Sequence, residues 1–60
     1  MKQSELLRLL QENGVIFLKH GKRHDIYYSG ITKKSFPVPR HAKEIATGTA
    51  NKILKDAGLE

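Results

Sequence analysis

The 60-residue chain contains no cysteine, so neither a disulfide nor a thiolate zinc site can brace it, and a reducing, cytosolic setting fits. No run approaches the roughly 20 apolar residues of a membrane span, and Met1-Lys2-Gln3-Ser4-Glu5 lacks the apolar stretch of a signal peptide. A soluble, cytoplasmic protein with no membrane partner is therefore expected. Three histidines are present, but none pairs with another on an expected helix at the spacing that would offer both to one ion. Neither a metal nor any other cofactor is expected. Internal repeats, linkers and low-complexity segments are missing too, which leaves one domain. At this length folding buries only about 60% of the unfolded chain's surface, so stability should be marginal and a stabilising partner fits.

Positive charge is what the chain has in excess. Eleven Lys and Arg face six Asp and Glu, giving a net charge of +5 and a pI near 9.8, the electrostatic footprint of a polyanion binder. Many small soluble domains are basic as well, so charge alone leaves nucleic acid at even odds.

Along the chain, Ser4 is a good N-cap, and Leu6, Leu7, Leu9 and Leu10 fall on one broad arc of a helix expected over about Glu5 to Glu12, stopped by Asn13-Gly14. Val15-Ile16-Phe17-Leu18 is a short apolar, β-prone run, and Arg23 to Ser29 reads as a second strand beyond Gly21, making a hairpin. A turn through Ser29-Gly30 and Thr32-Lys33-Lys34 leads to Ser35-Phe36-Pro37-Val38-Pro39, whose two prolines consign that strand to a sheet edge. Ala50, Ile53, Leu54 and Ala57 repeat at helical spacing, with Lys52 and Lys55 pointing away and Gly58 as the stop, so a second helix is expected over about Gly48 to Ala57. The order predicts an α+β fold, α-β-β-β-α, in which a three-stranded antiparallel meander carries both helices on one face. That layout resembles the double-stranded-RNA-binding domain.

The run Lys19-His20-Gly21-Lys22-Arg23-His24-Asp25-Ile26-Tyr27-Tyr28 sets His24 among three cations, Lys19, Lys22 and Arg23, at the mouth of the expected hairpin. An imidazole titrates near neutral pH, so His24 there could take a proton from a substrate drawn in by positive charge. RNA carries its own nucleophile: metal-free cleavage needs a base for the 2′-OH, cations for the phosphate and a proton for the leaving 5′ oxygen. His24 fits the first role, and Lys22, Arg23 and Arg40 fit the second. For the third, His41, His20 and water are all open. The same residues also describe an exposed strand histidine that merely sits beside lysines.

Strand alternation places His24, Ile26 and Tyr28 on one side and Arg23, Asp25 and Tyr27 on the other. If Ile26 packs under the helices, His24 leans that way and reaches substrate only from the strand's open end or through a bulge at Gly21 and Lys22; Tyr27 then faces the open sheet, where it could stack on a base, with simple packing the favoured reading. Lys33, Lys34, Arg40 and Lys43 cluster in sequence as a second basic patch that could track a phosphate backbone. Thr47-Gly48-Thr49 could bind phosphate at the start of the second helix, with plain capping the favoured reading.

Several segments together resemble one known family: Lys2-Gln3-Ser4-Glu5-Leu6 with Gly14, Gly21-Lys22-Arg23-His24-Asp25-Ile26-Tyr27, Val38-Pro39-Arg40-His41, and Ile53-Leu54-Lys55-Asp56-Ala57-Gly58-Leu59. Their order and spacing are similar to the HicA toxins of bacterial toxin-antitoxin pairs. Many relatives read Gly-Ser-His at the active histidine, whereas here Gly21 is followed by Lys22, Arg23 and His24.

The resemblance implies a single HicA-like domain over residues 1–60 with a double-stranded-RNA-binding-domain-like fold. It implies a metal-independent endoribonuclease that cleaves mRNA with one histidine, His24, and is neutralised by a HicB-type antitoxin. Lys22, Arg23, Tyr27, Lys33, Lys34, Arg40 and His41 are then the RNA-binding candidates. The competing expectation is a non-catalytic module that binds double-stranded or structured RNA without cutting it.

Overall fold

Leucines four apart build the first helix. In the computed structural model, which describes residues 1–60, Leu6 and Leu10 are fully buried on α1 (Gln3–Glu12) while Leu7 and Leu9 flank them half-buried. The helix starts before Ser4. Lys2 holds the N-cap position without a side-chain hydrogen bond, and the first turn is satisfied from far along the chain instead. Gln3 N–H donates to the Lys43 carbonyl at 3.0 Å, and the Gln3 side-chain amide donates to the Pro39 and Arg40 carbonyls at 2.6 and 2.8 Å. Such partners meet the same need as a capping hydroxyl.

The three strands form an antiparallel meander in the order β1 (Ile16–His20), β2 (His24–Ser29), β3 (Lys34–Pro39). Pro37 pairs with Ile26 and Pro39 with His24. Being two residues apart, the prolines leave their missing donors on the same outer side of β3, where no strand needs them.

α2 (Thr47–Ala57) buries Ala50, Ile53 and Ala57. These join Leu6, Leu10, Val15, Ile45, Tyr27, Phe36 and Val38 in one core between the two helices and one face of the sheet. The expected α-β-β-β-α architecture is what the chain adopts.

β1 is exposed along its whole length. Val15 is buried, but Ile16, Phe17 and Leu18 are 54, 45 and 48% exposed. α2 packs on β3 and β2, and α1 packs on α2, so β1 is left as an uncovered edge.

The far end of α2 is held by the β2–β3 turn. Ser29, wholly buried, donates its hydroxyl to the Ala57 carbonyl at 2.7 Å, and Thr32 donates to the Asp56 carbonyl at 2.6 Å. Both acceptors are last-turn carbonyls that the helix cannot satisfy itself. Gly58 follows at φ 83°, in the left-handed region, which lets Leu59 N–H return to the Leu54 carbonyl at 2.8 Å.

A Cβ at Gly58 would lie 2.7 Å from Ile31 Cγ2 and 2.9 Å from Thr32 Cγ2, so an alanine there adds a clash to an unfavourable φ. Gly58→Ala is expected to cost about 1–3 kcal/mol of folding free energy, read from the urea midpoint; an unchanged midpoint would show that the turn does not hold the helix end.

Candidate active site

β2 sends alternate side chains to opposite sides, and its inner side is fixed by the core. Tyr27 is 7% exposed and Ser29 is fully buried. Tyr27 packs edge-on to Phe17 at 5.7 Å between ring centroids and stands opposite Phe36. Asp25 shares that side, so His24, Ile26 and Tyr28 take the opposite side of the strand.

The expectation that Ile26 packs inward and Tyr27 faces the open sheet is therefore reversed. Tyr27 is not available to stack on a base, because its ring is part of the core. The half-buried tyrosine on the outer side is Tyr28, and sequence parity alone does not say which of the two is inside.

His24 is exposed at the first position of β2. The hairpin that precedes it is tight: Gly21 N–H donates to the His24 carbonyl at 2.7 Å, and a Cβ on Gly21 would come within 2.6 Å of that oxygen. Only glycine lets the chain pass so close.

Two hollows meet at His24. The larger, of about 560 Å³, is lined by Gly21, Lys22, Arg23, His24, Ile26 and Pro37. The smaller, of about 120 Å³, runs from His24, Pro37 and Pro39 to Thr49, Lys52 and Asp56 on α2. Lys22 and Arg23 thus join His24 as the sequence predicts. Thr49 and Lys52 are additions: Lys52 reads from helical spacing as simply outward-pointing, and only the packing of α2 against β3 brings it near the histidine.

The other candidates separate. Arg40 lies just beyond β3, its N–H donating to the Arg23 carbonyl at 3.2 Å. Its guanidinium approaches His20 and Asp25 on the helix-facing side. Asp25 accordingly serves His20, at 2.8 Å from its Nδ1. His41 is exposed on the exit loop.

Lys33 and Lys34 are at the opposite end of the sheet, since Lys34 pairs with Ser29 whereas His24 pairs with Pro39. Five strand residues put about 17 Å between those ends, so the run Lys33, Lys34, Arg40, Lys43 is not one patch. The bulge lies between Phe17 and Lys19 on β1, so the route through a bulge at Gly21 and Lys22 is not the one the strand takes. Thr47 stands inside α2 and Ala46 takes the N-cap position without a side-chain bond, so no hydroxyl caps that helix. No group of three or more His, Asp or Glu side chains comes together that could hold a metal ion.

A family model described as "HicA toxin of bacterial toxin-antitoxin" matches residues 4–59, nearly the whole chain. The chain belongs to the HicA toxin family. It is thereby a toxin of a bacterial toxin-antitoxin pair, in a family generally made up of RNase toxins, and its counterpart in the pair is an antitoxin. Neither the curated proteins nor the solved structures contain a match to it. No helix of this HicA-family chain is long and apolar enough to cross a membrane.

The buried tyrosine gives the site's supporting layer a pH signature. Burial, and secondarily the charge of Asp25, raises Tyr27 above the usual tyrosine value of 10.0. The folded state thus holds the phenolic proton more tightly than the unfolded chain. Its contribution to stability is complete below the unfolded value of about 10 and is lost as pH rises through the folded one. Urea midpoints compared between wild type and Tyr27→Phe are expected to diverge only above about pH 10, the wild type falling more steeply; parallel curves would refute this role for Tyr27.

Proposed function

We propose that this HicA-family chain is an endoribonuclease that cuts mRNA without a metal, using His24 as general base, and that a HicB-type antitoxin silences it in the cytoplasm. One observation carries the reading: an exposed imidazole stands where two hollows meet, with Lys22 and Arg23 beside it in the larger one. A phosphodiester held there has cations for its negative charge, and a ring nitrogen can take the proton of the neighbouring 2′-OH. The oxygen so released bonds to phosphorus, closing a 2′,3′-cyclic phosphate, and the P–O5′ bond breaks as the 5′ oxygen takes a proton from water. Base help of this kind is worth about 10²- to 10⁴-fold.

His24→Ala is expected to lower RNA cleavage by at least about 10²-fold while RNA binding persists, and wild-type cleavage is expected to continue in excess chelator. Cleavage by His24→Ala at the wild-type rate would overturn the assignment, and loss of wild-type cleavage in chelator would overturn the metal-free route. A wild-type chain that binds RNA and never cuts it would be the structured-RNA-binding module instead.

The antitoxin part of the reading draws on β1. Ile16, Phe17 and Leu18 stand exposed on an edge strand whose outer backbone groups have no partner strand. Natural proteins cover or break such edges. An acidic antitoxin lying across β1 and the hairpin would hide this apolar strip and His24 together, answering the net charge of +5. In the co-purified complex His24 is expected to resist histidine-directed acylation that modifies it readily in the free chain, as read by mass spectrometry. An inactive complex in which His24 stays equally reactive would refute occlusion.

A further inference from the structure

Residues three apart on a regular strand face opposite sides. The β1 bulge inserts one extra residue at Leu18, and Phe17 and His20 consequently share a side, their rings 4.9 Å apart. His20 is turned by this toward its cross-strand partner Asp25. Its Nδ1 lies 2.8 Å from Asp25 Oδ1, and a carboxylate can only accept, so Nδ1 carries the hydrogen and donates it. Nε2 is then left as an acceptor, on a side chain that is 67% exposed.

That assignment strands Arg40. Its Nη1 is 3.1 Å from the same His20 nitrogen, which has no lone pair left to receive it. What remains is Asp25 Oδ1 at 3.5 Å from Nη1 and the Lys22 carbonyl at 3.4 Å from Nη2. Both exceed the about 2.7–3.2 Å of ordinary N–H···O bonds. Arg40 Nε is buried and has no acceptor at all.

The guanidinium is nevertheless well placed. Arg40 N–H is tied to Arg23 and its carbonyl to Gln3, and the side chain is only 31% exposed. A fixed, partly desolvated guanidinium whose two Nη groups hold only these long contacts is suited to an anion such as a phosphate.

The geometry points to a second phosphate subsite, formed by the Arg40 guanidinium, on the other side of the hairpin from His24. It rests on the ribonuclease reading and adds to it the path of the substrate. Lys22 stands between the two sites: it lines the hollow of His24, and its carbonyl borders the Arg40 guanidinium. A single RNA strand bent around the hairpin tip would set its scissile phosphate at His24 and a neighbouring phosphate at Arg40. A stiff duplex cannot make that turn.

The test measures binding of a single-stranded oligouridylate to the His24→Ala chain over a range of salt, so that no substrate is consumed. Adding Arg40→Gln is expected to weaken binding about tenfold or more and to reduce the slope of log affinity against log salt by about 0.7, the share of one phosphate contact on a single strand. Arg40→Lys should restore the slope and only part of the affinity.

Asp25→Asn still accepts the His20 hydrogen but removes the charge that competes for Arg40. It is expected to tighten binding, a gain that misfolding cannot imitate, and Arg40→Gln should abolish that gain. If the parent binds RNA and Arg40→Gln leaves affinity and slope unchanged, the subsite is overturned while the ribonuclease reading survives. If the parent binds no RNA, the ribonuclease reading itself falls.

Discussion

A β-strand hands successive side chains to opposite sides, and in β2 the helix-facing side is claimed by Tyr27 and Ser29. Ser29 ties the strand to the last turn of α2, and Tyr27 fills the core between Phe17 and Phe36. With those two fixed, His24 has no choice of side. A register slip of one residue would bury the imidazole and expose the tyrosine, at the cost of an unpaired carbonyl on α2 and an open core. The constraint that stabilises the fold is thus the one that presents the histidine.

The same small core explains what is left bare. α2 covers β3 and β2 and is backed by α1, so the apolar residues of β1 stay at the surface. A free chain pays for this with an uncovered edge, and the family's pairing of toxin with antitoxin offers a use for it. The basic hairpin and the apolar edge adjoin along β1, which makes one partner surface sufficient for both.

Element types were legible from residue pattern because each has a local cause: leucines four apart for α1, β-prone runs around a glycine for the hairpin, prolines two apart for an outer strand, Gly58 for the end of α2. The family motifs around Gly21-Lys22-Arg23-His24 were legible as well, and they coincide with the mouth of the hairpin. Helix starts were less so. Ser4 and Thr47 have the chemistry of caps, yet α1 begins on bonds from Lys43, Pro39 and Arg40 that no local pattern contains.

By itself, then, the sequence determined the order of elements, the charge and the histidine at the strand's opening, since periodicity and side-chain chemistry are local properties. Which side of β2 faces the helices was left to tertiary packing, because alternation fixes only relative parity and burial of Tyr27 supplies the absolute sense. Tertiary packing also decided that Lys33 and Lys34 lie a strand's length from Arg40, that Lys52 comes near His24, and that a bulge at Leu18 turns His20 toward Asp25. Each of these follows from how segments distant in the chain stack against one another, and that is settled by the whole core at once.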